Sequence, residues 1–421
     1  MQSFRSFLMA ASAAICIIAQ AEIKTISAGS DLQQAIDTAQ VGDELHLAAG
    51  DYHGNIVVNQ SISLIGSEKG VSHIIGDGKA DAIRVTAENV HLAHLTVSGS
   101  GKSLSKMNAG IFLDKTAHHA VVKNNHIQGN LFGVYVWGPD AALVENNVIR
   151  NDNRLRVNSR GNGVSIWRSP KTIIKDNDIS GGRDGIFTNV SKDNLFIGNY
   201  LHDLRFAVHY MYTEDSEVRE NRADNVESAY VLMFSNRISA VNNVTKNSKE
   251  HGLMLNDVNH SVIRGNTVNN AKKCVFLYNA NHNEFDHNYF QGCEIGIHSS
   301  AGSENNGMHD NSFVQNQTQV MYVGTRESQW SHEGRGNYWS DHSAFDLNGD
   351  GIADTPYRPN TVMDQILWRA PSAKLLINSP AAQLLKYAQQ QFPSLLPGGV
   401  TDTYPLMQPT PTEHSHEFHS H

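Results

Sequence analysis

Four side chains of the sequence, one histidine and three methionines, could together bind a soft metal ion. His209 and Met211 lie in one short apolar segment, and Met233 and Met254 lie in the next two such segments. Imidazole nitrogen and thioether sulfur suit Cu(I) better than any hard cation. One interpretation of the pattern is therefore a copper site. The other is that methionine serves as a deformable filler at an interface.

A second group of metal-binding residue types lies towards the C-terminus. Positions 1, 3, 5, 7 and 9 of a calcium loop are matched in turn by Asp346, Asn348, Asp350, Ile352 and Asp354, with a glycine at position 6. Tyr357 stands at position 12, where an EF-hand needs a bidentate Glu. We expect a structural calcium loop outside an EF-hand that rigidifies the end of the fold. The alternative is a tight turn without metal.

The element that must position these residues is a repeat of about 22 residues. Short apolar segments start at residues 110, 133, 163, 185, 207, 229, 252, 274, 296 and 319. Successive starts are 22 or 23 residues apart, except for one spacing of 30 after residue 133. This period is too short for helical repeats or propeller blades, and each unit holds two or three runs of alternating apolar residues. The repeat therefore consists of short β-strands.

An asparagine recurs in phase with this repeat, 14 or 15 residues after each start. The members are Asn125, Asn147, Asn177, Asn199, Asn221, Asn243, Asn266, Asn288 and Asn311. A chain that returns to the same corner in every coil would stack these amides in a ladder. The two columns together predict an all-β fold, a right-handed parallel β-helix with coils of about 22 residues, in which the ladder is structural.

The sequence divides into four predicted parts. Residues 1–21 resemble a signal peptide, with an apolar run followed by Ala19-Gln20-Ala21. Residues 22–323 form the β-helix, capped by a helix over Asp31 to Ala39 with Asp31 as its N-cap. Residues 324–410 form a C-terminal extension with the calcium-like loop and a short helix over Ala381 to Phe392. Residues 411–421 are a His-rich tail, which could bind divalent metal loosely or be merely solvated: His414, His416, His419 and His421.

The net charge and the cysteine content indicate which class of partner is excluded and which compartment the chain occupies. The net charge is -9 and no block of Lys or Arg is present, which argues against nucleic acid as a partner. Export through the signal peptide would place the chain in an oxidising compartment. There, Cys274 and Cys293 either form a disulfide or are two buried small residues.

The outward-facing positions of the repeat are unusually apolar. Residues two and four after each start should face outwards, because side chains alternate along a strand. They are aromatic in the first half, with Tyr135, Trp137, Trp167 and Phe187, and rich in Met and His in the second half. Such a stripe marks a surface that something covers. We expect a partner surface; the alternative is cover by the C-terminal extension or by the loop Asn151 to Arg160.

Catalysis has weak support in the sequence. Many β-helix enzymes need clustered acids on one outward face, but Asp114, Asp184 and Glu250 share no column with a second carboxylate. An acid–base pair of Asp184 and His209 would require turns that the repeat does not define. The sequence therefore favours a non-enzymatic protein.

Several motifs of the chain resemble those of the NosD family of nitrous oxide reductase maturation proteins. The most specific is Gly334-Arg-Gly-Asn-Tyr-Trp-Ser-Asp341, followed by the calcium-like loop. Val208-His-Tyr-Met211, Gly296-Ile-His298, Ala301-Gly-Ser-Glu304 and Asn378-Ser-Pro380 are also similar to family motifs. The likeness extends over most of the chain beyond the signal peptide.

The resemblance implies a periplasmic, non-enzymatic subunit of an ABC-type machine that helps to build the copper site of nitrous oxide reductase. Implied partners are an integral-membrane permease dimer with its cytoplasmic ATPase, a copper-chaperone lipoprotein and the reductase. These partners would keep the chain at the inner membrane, and its transient cargo would be copper or a sulfur species. The alternatives are a secreted polysaccharide lyase or epimerase and a purely adhesive β-helix.

Overall fold

The computed structural model describes residues 21–300, 302–324, 326–369, 371–376, 379–391 and 399–412. Nearly all of the predicted signal peptide and the four tail histidines lie outside these ranges. The described chain winds into a parallel β-helix, so the predicted all-β fold is confirmed. Its coils have three faces, here called faces one, two and three in the order in which each coil runs through them.

Face one is a parallel sheet of 13 short strands, one from each successive coil. The strands are Ile23–Ile26, Glu44–Leu47, Ser63–Ile65, His91–Ala93, Val121–Lys123, Leu143–Glu145, Ile173–Lys175, Leu195–Ile197, Glu217–Arg219, Ser239–Val241, Val262–Arg264, Glu284–Asp286 and Gly307–His309.

Faces two and three form one continuous sheet of 22 strands. Face two contains Gly50–His53, Ser72–Ile75, Leu95–Ser98, His126–Gln128, Val148–Arg150, Asp178–Ser180, Tyr200–His202, Tyr289–Gln291, Ser312–Val314 and Tyr338–Trp339. Face three contains Ile56–Val58, Ile83–Val85, Ala109–Leu113, Phe132–Trp137, Val164–Trp167, Asp184–Lys192, Phe206–Glu214, Ile295–Ser299 and Thr318–Tyr322. Three long strands cover both faces: Arg222–Asn236, Val244–Asn259 and Thr267–Tyr278.

The repeat starts identified in the sequence all lie on face three, and the strand register follows their spacing. Val134 pairs with Val164, Val164 with Ile186, and Ile186 with Val208. These residues stand one after each start and are completely buried, as the alternation predicts. Removing such a column of Val, Ile and Leu from water is the main stabilising term of the coil stack.

The asparagine ladder lies inside the corner between faces one and two. Each side-chain amide donates to the carbonyl oxygen of the next asparagine, as from Asn199 to Asn221 at 2.9 Å and from Asn221 to Asn243 at 3.1 Å. The residue before each ladder asparagine has a positive φ, for example Asn242 at 53°. Asn, Asp and Gly adopt this conformation most easily, which explains why pairs such as Asn242-Asn243 recur.

The N-terminal end of the core is closed by helix α1, Leu32–Asp37. The Asp31 side chain accepts a hydrogen bond from the backbone N–H of Gln34 at 3.0 Å, which confirms it as the N-cap. Leu32 and Ile36 are buried against the core. The helix therefore covers apolar side chains that the first coil would otherwise expose.

At the opposite end, Asp402 terminates the ladder. Its Oδ2 accepts the backbone N–H of Asn337 at 2.7 Å and the indole N–H of Trp339 at 2.8 Å. Trp339 stacks on Phe313, with ring centroids 4.3 Å apart. A Cβ at Gly336 would lie 1.8 Å from the Asp402 carboxylate, so this position requires glycine. The GRGNYWSD motif thus forms the C-terminal closure of the β-helix.

The described residues of the C-terminal extension form two α-helices where the sequence predicted one. Helix α2 is Val362–Arg369 and helix α3 is Pro380–Gln391, with a 3-10 turn Pro371–Leu376 between them. Thr361 and Asp364 form a reciprocal cap at the start of α2, with hydrogen bonds of 2.8 and 3.1 Å. Strand Gly399–Thr401 pairs with Glu327–Gln329, and the following residues return to face two, where Thr410 contacts Ser312.

The two cysteines beyond the signal peptide form a disulfide. Cys274 and Cys293 are both buried, and their sulfur atoms are bonded to each other. The disulfide joins the strand Thr267–Tyr278 to the turn that enters face three one coil later. The structure therefore contains the disulfide, and the alternative of two unbonded buried cysteines does not apply.

Candidate metal centre

The residues predicted to bind copper lie in two adjacent outward columns of face three. One column contains Phe187, His209, Val231 and Met254, and the other contains Asn189, Met211, Met233 and Asn256. Neighbouring members of a column are about 4.8 Å apart, as strands in a sheet are. The structure therefore brings His209, Met211, Met233 and Met254 together on three successive coils. We call these four residues the His/Met cluster.

His209 is held by a carboxylate of the preceding coil. Its Nδ1 lies 3.1 Å from Oδ2 of Asp184, and Arg205 binds the same carboxylate with two hydrogen bonds of 2.8 and 2.7 Å. Asp184 is completely buried. Burial favours its neutral form, but the hydrogen bonds from His209 and Arg205 outweigh this and hold the pKa of Asp184 below its usual value.

An ionised Asp184 fixes the tautomer of His209, because a carboxylate can only accept a hydrogen bond. In the neutral imidazole, Nδ1 then bears the proton and the lone pair is on Nε2. This Nε2 atom is buried and has no hydrogen-bond partner among the described residues. Many metal-binding histidines are oriented in this way by a carboxylate on the other ring nitrogen. From the sequence alone, Asp184 and His209 were conceivable only as an acid–base pair, because the repeat does not show that the two residues lie together.

Two aromatic rings hold His209 in place. The Phe187 ring centroid is 5.0 Å from the imidazole, and the Phe206 ring meets it edge-on at 5.2 Å. Arg205 in turn stacks over Phe206 at 4.1 Å. His209 is consequently only 7% exposed although it faces outwards.

The three methionines surround Val231, which is completely buried on this outward face. Met211, Met233 and Met254 are themselves half-buried, so their side chains remain accessible from solvent. The side-chain carbonyl oxygens of Asn189 and Asn256, at the two ends of the Met211–Met233 column, are buried without hydrogen-bond partners in the described chain. Of these groups, the thioethers and the histidine lone pair are the donors that suit a soft cation.

The four aromatic residues predicted as a partner surface lie on three successive coils of face three but pack against different neighbours. Tyr135 stacks on Phe112 at 5.3 Å, and Trp137 stacks on Trp167 at 5.6 Å. Phe187 instead belongs to the packing around His209. Leu155, from the loop that follows Arg150, packs against the cluster formed by Phe112 and its neighbours. The loop thus covers part of the aromatic stripe, whereas Trp137 and Trp167 remain partly exposed.

The calcium-like loop is closed by its own carboxylates. Asp346 accepts the backbone N–H groups of Gly349 at 2.7 Å and Gly351 at 2.8 Å, and these hydrogen bonds lower its pKa. Asp354 accepts the N–H of Leu347 at 2.7 Å. Gly349 and Gly351 have φ values of 77° and 84°, which favour glycine. Of the other residues expected to bind calcium, Asn348, Asp350 and Asp354 are exposed and Ile352 is half-buried.

Asp402 and Arg205 are important residues that the sequence did not single out. Asp402 is buried, no cationic side chain of the described residues forms an ion pair with it, and burial raises its pKa to about 6. Nothing local to residue 402 signals this position, because its partner Asn337 lies 65 residues away.

None of the described helices is long and apolar enough to span a membrane.

Comparisons with known proteins identify close relatives. A family model described as NosD, periplasmic copper-binding protein, matches residues 145–344. A probable ABC transporter binding protein NosD from Stutzerimonas stutzeri is 34% identical over 382 residues, covering 87% of each chain. A protein of the same description from Pseudomonas aeruginosa is 34% identical over 376 residues, covering 86% of this chain and 87% of that one.

Solved structures share the fold alone. The A-module of an Azotobacter vinelandii mannuronan C-5 epimerase superposes with a TM-score of 0.54 at 13% identity, covering 69% of this chain and 90% of that one. A Yersinia enterocolitica exopolygalacturonase gives a TM-score of 0.52 at 10% identity, covering 68% and 78%. At such low identity, these similarities establish the parallel β-helix and leave its function open.

Proposed function

Since the chain belongs to the NosD family of periplasmic copper-binding proteins, we propose that it is the periplasmic binding subunit of an ABC-transporter-type complex that assembles the copper site of nitrous oxide reductase. Both curated relatives are named as binding proteins, and the chain is accordingly a binding protein rather than an enzyme. Its role in the complex is to hold Cu(I), as cargo, outside the cytoplasm.

The observation that supports this proposal most directly is the unpaired Nε2 of His209. A buried polar atom without a partner costs free energy, of the order of 1–3 kcal/mol, and a metal ion bound at Nε2 would remove that cost. Asp184 keeps the proton on Nδ1, and Arg205 holds Asp184 in place. Thioether sulfur from Met211, Met233 and Met254 would complete a soft donor set that excludes Mg²⁺ and Ca²⁺.

The alternative function, polysaccharide lysis or epimerisation, fits this site less well. An acid or base must reach the substrate directly or through one water molecule. Asp184 has no exposed surface, and both of its oxygens accept hydrogen bonds from Arg205. Its carboxylate is therefore suited to orienting His209 and unsuited to proton exchange with a bound sugar.

The permease is proposed to bind the C-terminal extension. Several apolar side chains there face solvent: Leu375 is 92% exposed, Leu384 68% and Tyr387 60%. Exposed large apolar residues on a short helical unit are typical of a surface that a partner covers. Binding there would keep the chain at the periplasmic side of the inner membrane, with the ATPase on the cytoplasmic side of the permease.

The copper-chaperone lipoprotein and nitrous oxide reductase are proposed to act at face three, where the His/Met cluster opens to solvent. Trp137 and Trp167, stacked at 5.6 Å and partly exposed on the same face, would contribute to that contact. The calcium-like loop is proposed to bind calcium through Asp346, Asn348, Asp350, Ile352 and Asp354. There it would rigidify the C-terminal closure of the β-helix.

The proposal is tested by isolating nitrous oxide reductase from a strain that lacks the gene for this chain. We expect an enzyme without its catalytic copper cluster, and restoration of copper when the wild-type gene is returned. A fully loaded, active enzyme in the deletion strain would overturn the proposed function. Measuring copper and sulfide separately distinguishes loss of the metal from loss of a sulfur species.

A further inference from the structure

Beyond the His/Met cluster, the same outward column contains a second histidine with an unpaired nitrogen. His298 follows Met254 and Phe276 in the column, and its Nδ1 is buried without a hydrogen-bond partner among the residues described. It lies four coils from His209, which corresponds to roughly 19 Å. One ion cannot bridge that distance, so the two histidines would have to serve separate sites.

His298 has a thioether neighbour. Met321 is its direct partner in the next coil, and Met321 is half-buried and open to solvent. On the other side, the Phe276 ring centroid lies 5.1 Å from the imidazole. The pair of His298 and Met321 therefore repeats the main features of His209 and its methionines: an imidazole held by an aromatic ring, an unpaired nitrogen and adjacent sulfur.

The imidazole of His298 is also in the right protonation state for a metal. Burial, together with the positive charge of Lys273, lowers its pKa to about 4. The ring is consequently neutral at neutral pH and has one nitrogen lone pair. Imidazole and thioether donors again suit Cu(I) among the biological metals.

We propose that His298 and Met321 form a second Cu(I) site on face three, so that one chain holds two cuprous ions in the same outward column. The inference rests on the proposed function only for the identity of the metal. Lys273 places a positive charge one coil before His298, with its ammonium 4.4 Å from the centre of the Phe276 ring. This charge repels a cation, so the second site is the weaker of the two.

The test is a Cu(I) titration of the full chain against a chromogenic chelator. Five proteins are compared: the wild type, His209→Ala, His298→Ala, the double variant and the control His126→Ala. The double variant gives the background from all other groups, including the tail histidines. We expect the wild type to retain two ions above this background and each single variant to retain one. His126→Ala, at an exposed histidine of face two, should match the wild type.

The outcomes separate this inference from the proposed function. If the wild type retains one ion above background and only His209→Ala loses it, the second site is overturned and the His/Met cluster stands. If only His298→Ala loses that ion, the second site stands and the His/Met cluster fails. If the wild type equals the double variant, both are overturned.

Two further variants guard against misfolding as the cause of a loss. Met321→Leu keeps the shape of the side chain but removes the sulfur, and should weaken retention at the second site at least 10-fold. Lys273→Leu removes the repelling charge without adding a donor atom and should strengthen that site without changing the first. Unchanged second-site affinity in both variants would overturn the assignment of His298 and Met321.

Discussion

Oδ2 of Asp184 lies 3.1 Å from Nδ1 of His209, a residue in the next coil of the β-helix. The contact joins side chains of two neighbouring coils and leaves Nε2 of His209 without a hydrogen-bond partner among the described residues. Within a mainly apolar stripe, it thereby gives the site one defined donor atom, Nε2 of His209. The contribution of the carboxylate can be measured separately from that of the metal ligands.

Asp184→Asn should weaken Cu(I) binding by roughly 10- to 100-fold, the usual effect of removing the carboxylate behind a metal-binding histidine. The amide no longer carries the charge that favours a proton on Nδ1, and one of its two ends becomes a donor facing Arg205. Competition with a Cu(I) chelator measures the change. Asp215→Asn, at an exposed ion pair with Arg237, is the matched control and should bind like the wild type.

Met233→Leu should reduce Cu(I) affinity while leaving the fold intact. Leucine fills a similar volume, and such exchanges usually cost less than about 1.5 kcal/mol. The same exchange at Met308, which is buried inside the core away from face three, should leave copper binding unchanged. Equal copper affinity in the two variants would indicate that Met233 only fills space at an interface.

Asn221→Ala should destabilise the chain by about 1–3 kcal/mol, because the buried backbone N–H of Asn199 then has no acceptor. Thermal unfolding followed by circular dichroism measures the loss. Asn59→Ala removes an exposed amide whose one hydrogen-bond partner, the exposed Asp37 carboxylate, can bind water instead. That control should change stability by less than about 0.5 kcal/mol.

The raised pKa of Asp402, at the C-terminal closure, predicts that the stability of the folded chain depends on pH. Burial raises its pKa from 3.8 to about 6, so the folded chain binds the proton more tightly than the unfolded chain does. The resulting stabilisation is complete below pH 3.8 and is lost as the pH rises through about 6. At about 1.4 kcal/mol per pH unit, the loss amounts to about 3 kcal/mol.

The measurement compares thermal midpoints of the wild type and Asp402→Asn at several pH values between 4 and 7. The amide does not titrate, so the wild type should lose stability relative to the variant over this range. A loss of stability that the substitution causes equally at every pH does not affect this comparison. Parallel curves for the two proteins would show that Asp402 keeps its ordinary pKa in the fold.

Calcium should raise the thermal midpoint of the wild type relative to a sample in chelator, since an ion that binds only the folded chain stabilises it. Asp346→Asn should abolish this increase, because Asp346 stands at the first ligand position and also closes the turn. If the wild type melts at the same temperature in calcium and in chelator, the loop is a turn held by Asp346 and its backbone hydrogen bonds alone.

Most of the fold could be predicted from the sequence because two residue columns share one period. The starts on face three and the ladder asparagines both return at each coil, and the strand register reproduces their spacing. The position of the closing segment could not be predicted in this way. Asp402 reaches Asn337 across the whole C-terminal extension, and no repeat links the two residues.

The site was predictable only in part. Alternation along a strand places His209 and Met211 outwards, and the period places Met233 and Met254 beside them. Strict alternation would place Asp184 inwards together with Ile186, yet it contacts the outward-facing His209. Gly185 lies between Asp184 and Ile186, where a Cβ would come within 2.6 Å of the Ala207 carbonyl oxygen. Such a local departure from strict alternation is invisible to a periodic pattern.

The central claim, that copper for nitrous oxide reductase passes through His209, is tested most directly in the strain from which the native gene is deleted. The deletion is complemented with His209→Ala or with His126→Ala, and the copper content of the purified reductase is measured. The account predicts a reductase deficient in copper with His209→Ala and a fully loaded one with His126→Ala, at equal amounts of the two proteins. A fully loaded reductase with both variants would contradict it.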